Sequence, residues 1–450
     1  MIGNRVGAGR FIPPSRPGTA TPSRGVDILP STSRSVVEAT LPVVGAHIGT
    51  ISQVFYERLF RAVPSLIDTF NRTNQANGDQ QRALAGSVAS FASLLVSDDP
   101  VDIDAVMARI AAKHASLGVR AAHYEIVRTH LFAAIGEVLG EAVTPEVAAA
   151  WHEVYTLMAN SLVEQETALY QRAGVTSGDV WRTTIVSEHE YDGAHAATLY
   201  LRSEDGSPLP AFLPGQYISV RVPLPEGGEQ IRQYTVFPGR TRGEWAITVK
   251  RIPGGFVSPV LCDGVRPGHR LVVSPPFGVL VVDGGDEPLL LVSAGVGVTM
   301  TIAALRHLLD RRDPRSIDVV HIDRTPYEQP HRTEISSLVG ALPNARLHVR
   351  YTEYDEIRSD GRTPLSGLPL PTNAQTYVCG PIPFMRAIRS DLVATGVAPQ
   401  TIHYEAFAPG SWFGLEDPPP PPKLIREQIR WAVQPSHRAD GPRHSRRRPR

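Results

Sequence analysis

Cysteine is nearly absent from this chain: only Cys262 and Cys379 occur among 450 residues. That excludes a disulfide framework and any four-cysteine zinc or iron–sulfur centre, and it fits a reducing cytoplasm. An excess of either charge is lacking too. Forty-five Lys and Arg stand against 45 Asp and Glu, so bulk electrostatics favours neither nucleic acid nor an anionic membrane as a partner. There is no long hydrophobic run. The longest uncharged apolar stretch, Leu289 to Leu305, spans 17 residues and is interrupted by Ser293, Gly295, Gly297, Thr299 and Thr301, too short and too broken to insert stably in a bilayer. The first 26 residues carry four arginines and no acid, but Pro13, Pro14, Pro17 and Pro22 deny them the amphipathic helix of a transit peptide. Residues 1–27 are therefore expected to be a disordered arm.

At roughly 150 residues per domain the length allows two to four domains, and the texture changes along it. From about Ser33 to Arg172 the apolar period is helical, with breaks at Asn77-Gly78-Asp79, Ser97-Asp98-Asp99-Pro100 and Thr144-Pro145-Glu146; six or seven helices and no strand are predicted. Thr144-Pro145-Glu146 is a helix start in which Thr caps, Pro takes the first position and Glu complements the dipole. From Trp181 the period drops towards two, in short runs bounded by Gly and Pro: 184–187, 197–201, 217–222, 233–237, 245–251 and 271–273. Such spacing predicts a small antiparallel barrel. After Pro288, strand-like runs at 289–293, 317–322, 346–351, 376–379 and 402–407 alternate with helical ones, the pattern of a parallel sheet with covering helices. Five prolines, Pro418 to Pro422, and six arginines against one aspartate between Arg438 and Arg450 mark a solvated, disordered tail. The domains expected are an all-α domain at 28–173, a β-barrel domain at 178–285 and an α/β domain at 286–409, followed by the tail at 410–450. No internal repeat is visible.

Three polar residues interrupt apolar stripes in the helical part. On a helix through Val101 to Leu117, His114 shares a face with Ile103, Val106, Met107, Ile110 and Leu117. Tyr124 lies on the face of Val127, Leu131 and Ile135, and Glu166 on that of Tyr155, Met158, Leu162 and Leu169. A lone core histidine is ordinarily a satisfied packing residue. A buried glutamate, however, needs hydrogen bonds, and the simplest arrangement has Glu166 and Tyr124 both bonded to His114, fixing its tautomer and leaving the other ring nitrogen for a metal. The helices that face this set offer a second pocket. Tyr56 lies on the buried side with Phe55, Leu59 and Phe60, Gln80 begins the stripe Leu84, Val88, Phe91 and Leu95, and Phe70 lies between. A core tyrosine is ordinarily packing; a Tyr and a Gln among aromatics can also hydrogen-bond a small diatomic ligand.

The segments Phe55-Tyr56-Glu57-Arg58-Leu59-Phe60, Phe70-Asn71, Asn74-Gln75-Ala76-Asn77-Gly78-Asp79-Gln80 and Lys113-His114 resemble the globin domain of a flavohaemoglobin. The resemblance implies that His114 is the proximal haem ligand, with Tyr124 and Glu166 as its hydrogen-bonding partners and Lys113 beside it. It implies that Tyr56, Gln80 and Leu84 are the distal residues and that Phe70 packs on the haem. A histidine backed by a buried carboxylate gains imidazolate character and pushes electron density onto iron.

The rest of the chain continues the resemblance. Arg232-Gln233-Tyr234-Thr235 resembles the flavin motif of the ferredoxin-reductase superfamily, with Thr in place of the usual Ser; Pro214-Gly215-Gln216-Tyr217 and Gly254-Gly255-Phe256-Val257-Ser258 match two further flavin-side elements. Taken alone, Arg-x-Tyr-Thr is ordinary strand; the order and spacing of the set give it meaning. Arg forks onto phosphate, and two glycines before a helix leave backbone amides for an anion. Gly295-Val296-Gly297-Val298-Thr299-Met300, between a strand and a helix, lacks the third glycine of the dinucleotide fingerprint and looks like the reductase glycine loop, with Val298 and Met300 where Gln and Pro are frequent. Cys379-Gly380-Pro381 resembles the element beside the nicotinamide, although Cys379 also reads as a small buried hydrophobe. Tyr404-Glu405-Ala406-Phe407-Ala408-Pro409 matches the closing segment, whose aromatic, Phe407, covers the flavin; Ala408 stands where Gly is usual.

The resemblance spans residues 28 to 409. It implies an NAD(P)H-dependent nitric oxide dioxygenase holding haem b and FAD, using NADH or NADPH, acting on NO and O2, and working as a cytoplasmic monomer with no nucleic-acid partner. Two alternatives stay open: another NAD(P)H-driven flavin or haem reductase or oxidase, and a haem-based gas sensor.

Overall fold

A computed structural model describes residues 29–64, 79–97, 102–282, 284–353, 365 and 367–404, with the side chains of 79–85 outside that description. Among the described residues the first part holds five α-helices: α1 (Ser31–Ala62), α2 (Asp79–Val96), α3 (Ile103–Leu117), α4 (Ala121–Leu139) and α5 (Pro145–Ala173). Helix α1 runs through Pro42, which should break it. Just before that proline the Thr40 hydroxyl donates to the Val36 carbonyl at 2.7 Å and accepts from Trp151 Nε1 at 2.9 Å, so the turn is tied to α5 by a side chain. The expected start of α5 is present: Thr144 accepts from the Val147 amide at 3.3 Å, and Pro145 takes the first turn. Phe55 and Leu59 of α1, Phe91 and Leu95 of α2, Met107 of α3, Leu131 of α4 and Val154 of α5 meet in one core. Each large apolar side chain buried there contributes about 1.5–3 kcal/mol.

Seven strands follow in one antiparallel sheet: β1 (Arg182–Asp192), β2 (Ala196–Ser203), β3 (Tyr217–Pro223), β4 (Glu229–Thr235), β5 (Phe237–Pro238), β6 (Trp245–Lys250) and β7 (Arg270–Val273), in the order β4-β3-β7-β1-β2-β6-β5. The outermost members, β4 and β5, are separated by Val236 alone. One residue cannot span a flat seven-stranded sheet, so the sheet curls until its edges meet at one bent strand. That closure makes a barrel, filled by residues such as Leu199, Ile218, Val220 and Ile247.

The last part is a parallel sheet of β8 (Leu289–Ala294), β9 (Ile317–Asp323), β10 (Ala345–Tyr351), β11 (Gln375–Cys379) and β12 (Ile402–Tyr404), in the order β10-β9-β8-β11-β12. Leu289 to Val292 are fully buried because both faces are covered. Helices α6 (Val298–Asp310) and α7 (Arg332–Ala341) pack on one face and α8 (Ile382–Ala394) on the other. The strand order reverses between β8 and β11, the place where open α/β sheets bind ligands.

Candidate functional site

The helical site is built at the end of α3. Asp102 caps its start, accepting from the Ala105 amide at 2.9 Å. Gly118 closes its end in the left-handed region, φ 77°, with a neighbouring carbonyl, that of Gly178, 2.8 Å from where a Cβ would lie. In the last turn, His114 Nδ1 is 2.9 Å from Tyr124 Oη and 2.9 Å from Glu166 Oε1, and Tyr124 Oη donates to the same carboxylate oxygen at 2.5 Å. The two protons available, on Nδ1 and on the phenol, both point at Glu166, which is 2 % exposed. This assigns the ring proton to Nδ1 and leaves Nε2 with a lone pair. Among the described residues nothing hydrogen-bonds Nε2, and a third of the histidine side chain is open. Burial and the Glu166 charge push the Tyr124 phenol far above its usual range, so it stays protonated.

Two residues whose role the stripes did not reveal support this set. Tyr155 Oη donates to the Tyr124 carbonyl at 2.7 Å, and Tyr170 Oη to the Val119 carbonyl at 2.6 Å. Across the core, Tyr56 is 3 % exposed. It packs edge-on to Phe55 (4.8 Å between centroids) and against Phe60 (5.4 Å), and burial raises its phenol. Gln80 and Leu84 lie on α2, with side chains outside the described set, and Phe70 is outside it altogether. An imidazole with a buried acceptor on Nδ1 and an open Nε2 fits an axial haem ligand.

The barrel brings together the second group. Strands β3 and β4 pair Tyr217 with Thr235, Ile218 with Tyr234, Ser219 with Gln233 and Val220 with Arg232. Opposed residues share a face, so the motif is divided. Arg232 and Tyr234 lie with the barrel-filling Val220 and Ile218; Gln233 and Thr235 lie with Tyr217, which packs on Ala115 of α3, Tyr170 of α5 and Phe277. Arg232 donates to the Ile231 carbonyl at 2.8 Å, and desolvation lowers its pKa. A half-buried guanidinium in such surroundings suits a phosphate. Gly215, at φ 106°, accepts no side chain: a Cβ would stand 2.1 Å from the Leu280 carbonyl oxygen. Beyond the barrel, Gly254 adopts φ 72° and the Gly255 amide donates to the Ile252 carbonyl. Ser258 Oγ accepts from the Ile252 amide at 3.0 Å, where the chain enters a short helical segment that continues as the π-helical Val260–Gly264.

At the switch point of the parallel sheet the third group assembles. Gly295–Gly297 forms a 3-10 turn between β8 and α6, and Cys379-Gly380-Pro381 leads from β11 into α8. The two loops touch: a Cβ on Gly297 would lie 2.4 Å from the Cys379 carbonyl oxygen. Such backbone approach suits a diphosphate. Thr299 Oγ1 donates to the Val296 carbonyl at 3.0 Å. Val298 and Met300, placed in the sequence among cofactor contacts, are buried in the core behind the loop, at 0 % and 1 % exposure; their side chains pack and do not face the loop's open side. Cys379 is also fully buried. Glu405, Ala406, Phe407, Ala408 and Pro409 lie outside the described residues, but the preceding Tyr404 ring lies under the Arg109 guanidinium of α3, 5.1 Å away.

Comparison with known proteins agrees with this composite. Residues 53–162 match the globin family and residues 192–281 the oxidoreductase FAD-binding domain family, so fold and sites define a globin joined to a flavin reductase. The flavohemoprotein of Bordetella pertussis is 41% identical over 397 residues, 84% of this chain and 98% of that protein. That of Rhizobium meliloti is 36% identical over 85% of this chain and 99% of its own length. The crystal structure of flavohemoglobin from Malassezia yamatoensis, with FAD and heme bound, matches with a TM-score of 0.78 at 33% identity, covering 84% of this chain and all of that one. The chain belongs to the flavohemoprotein family.

Proposed function

We propose that this protein is an NAD(P)H-dependent nitric oxide dioxygenase. One reduced nicotinamide, two O2 and two NO give two nitrate ions, oxidised nicotinamide and a proton. The observation that carries the reading is His114, whose Nδ1 lies 2.9 Å from both buried Glu166 and Tyr124 and whose side chain is a third open, in a family that joins this helical core to a flavin reductase. When bound, FAD and haem supply hydride acceptance, single-electron delivery and oxygen activation. In this reading His114 Nε2 holds the iron, Tyr124 and Glu166 keep its opposite nitrogen protonated, and Tyr56 faces the distal ligand together with Gln80 and Leu84. Arg232 meets the FAD diphosphate, Tyr217, Tyr234 and Thr235 meet the flavin, and the Gly295–Gly297 turn meets the nicotinamide cofactor beside Cys379-Gly380-Pro381. Phe407 covers the flavin. The domain limits 28–173, 178–285 and 286–409, a monomeric state and a cytoplasmic location belong to the same proposal.

The test is nitric oxide consumption on an electrode by the haem- and FAD-loaded protein in aerobic buffer, with NADH or NADPH. Rapid nicotinamide-dependent loss, abolished by carbon monoxide, is expected. No loss with either cofactor, from protein whose dithionite-reduced haem still binds carbon monoxide, would overturn the reading.

A further inference from the structure

Helix α3 is joined to the barrel by a hydrogen-bond chain made of two serines. Gln233 Nε2 donates to Ser219 Oγ at 2.9 Å, Ser219 Oγ donates to Ser116 Oγ at 2.8 Å, and Ser116 Oγ donates to the Lys113 carbonyl at 2.7 Å. Ser116 lies two residues after His114, Ser219 faces it from β3, and both serines are completely buried. Each hydroxyl has one proton, and the Lys113 carbonyl can only accept. The first proton is therefore committed to Lys113, the second to Ser116, and Ser219 is left able only to accept from the next group. That requirement orients the Gln233 amide, since its Nε2 can donate and its Oε1 cannot. Among the described residues the Gln233 Oε1 makes no hydrogen bond, so the chain leaves it as the free acceptor of the motif strand.

The main chain holds the middle of this relay independently. The Ser219 amide donates to Ser274 Oγ at 2.9 Å, the Ser274 amide returns a bond to the Ser219 carbonyl at 2.9 Å, and Ser274 Oγ donates to the Pro275 carbonyl. Ser219 cannot drift along its strand. Buried hydroxyls are costly when unpaired and rigid when every partner is satisfied; here the pairing is complete and one-directional, and it connects the turn that carries His114 to the strand that carries Gln233.

Resting on the proposed function, we propose that Ser116 and Ser219 are positioning residues for electron passage from the flavin site to the haem site: they fix the Gln233 amide and hold the motif strand in register with the last turn of α3. Neither serine lies in a segment that resembles the flavin or nicotinamide motifs. Their removal slows the second stage of electron flow and leaves the first unchanged.

The experiment uses the full-length holoprotein, mixed anaerobically with NADH under carbon monoxide in a stopped-flow spectrometer. Flavin bleaching reports the first stage and formation of the ferrous carbon monoxide adduct reports the second. In Ser219→Ala, flavin bleaching is expected at the wild-type rate and haem reduction about tenfold slower, a loss in the range of small misplacements of reacting groups. Ser116→Ala should behave alike. The double variant should be no slower than Ser219→Ala alone, because both lie in one chain. Ser219→Thr, which keeps the hydroxyl, should restore the rate. Haem absorbance and the iron–histidine stretching frequency of the reduced protein should stay at their wild-type values in all of them. Haem reduction within twofold of wild type in both Ser219→Ala and Ser116→Ala overturns the relay while leaving the proposed function standing. A wild-type protein whose haem NADH or NADPH fails to reduce overturns the function and the relay together. If Ser219→Ala does not fold, Ser116→Ala decides alone, since its site on α3 loses only an outward hydroxyl and gains no bulk.

Discussion

The helical site and the switch-point site solve the problem of holding a ligand in opposite ways. Around His114 the chemistry lies in side chains drawn from α3, α4 and α5, 10 and 52 residues from the histidine in sequence, and the backbone serves only to aim them. Around Gly297 the side chains withdraw: Val298 and Met300 turn into the core, and the loop meets the Cys379-Gly380 backbone where no Cβ fits. The first site is therefore vulnerable to removing atoms and the second to adding them.

The largest effect should come from deleting the imidazole whose Nε2 is left open in the helical site. His114→Ala is expected to be purified without haem but with FAD; a wild-type haem-to-FAD absorbance ratio would remove His114 as ligand. The opposite manipulation, Gly297→Ala, adds one methyl against a carbonyl 2.4 Å away. It should cost about 3 kcal/mol of stability and raise the Michaelis constant for the nicotinamide, both measurable by thermal unfolding and steady-state kinetics. If the protein tolerates it, the two loops do not touch in solution. Glu166→Gln keeps the shape and removes the charge that receives two donors. About 1.5 kcal/mol should be lost, haem should remain, and nitric oxide turnover should slow; unchanged turnover would make Glu166 a packing residue. Tyr155→Phe removes a single bond to the Tyr124 carbonyl and should cost about 1 kcal/mol in urea unfolding with little change in turnover. Least of all, truncation after Gly410 should change neither FAD content nor turnover, because that segment carries none of the motifs; loss of FAD would show otherwise.

The sequence made the helical triad legible because a polar residue in an apolar stripe has an address: at 3.6 residues per turn His114, Tyr124 and Glu166 each point inward. What periodicity cannot express is who meets whom across the chain. Ser116 and Ser219 are 103 residues apart, are small and common, and break no pattern, so nothing in the sequence distinguishes them. The same holds for Thr40 and Trp151, whose bond beside Pro42 lies within a continuous helix where proline chemistry alone argues for a break. The barrel strands were legible by their alternation, but the gap at Val236 was not: the predicted run at 233–237 divides into the end of β4 and the start of β5, because closure demands a bend that hydrophobicity does not record. Val298 and Met300 belong to the glycine loop by its resemblance to the reductase family, and that resemblance does not record that the helix beginning there turns both side chains inwards.

The seam of the barrel has a consequence for self-association. A sheet with two open edges offers unpaired amides and carbonyls to any neighbouring strand. Here the two outermost strands, β4 and β5, are joined through Val236 alone, so both edges lie on one bent stretch of chain, the stretch that carries Arg232-Gln233-Tyr234-Thr235. The stretch that bears the flavin motif is thus also the stretch that forms both outer strands of the barrel sheet, so a lesion there would disturb the sheet's edges as directly as it threatens the cofactor.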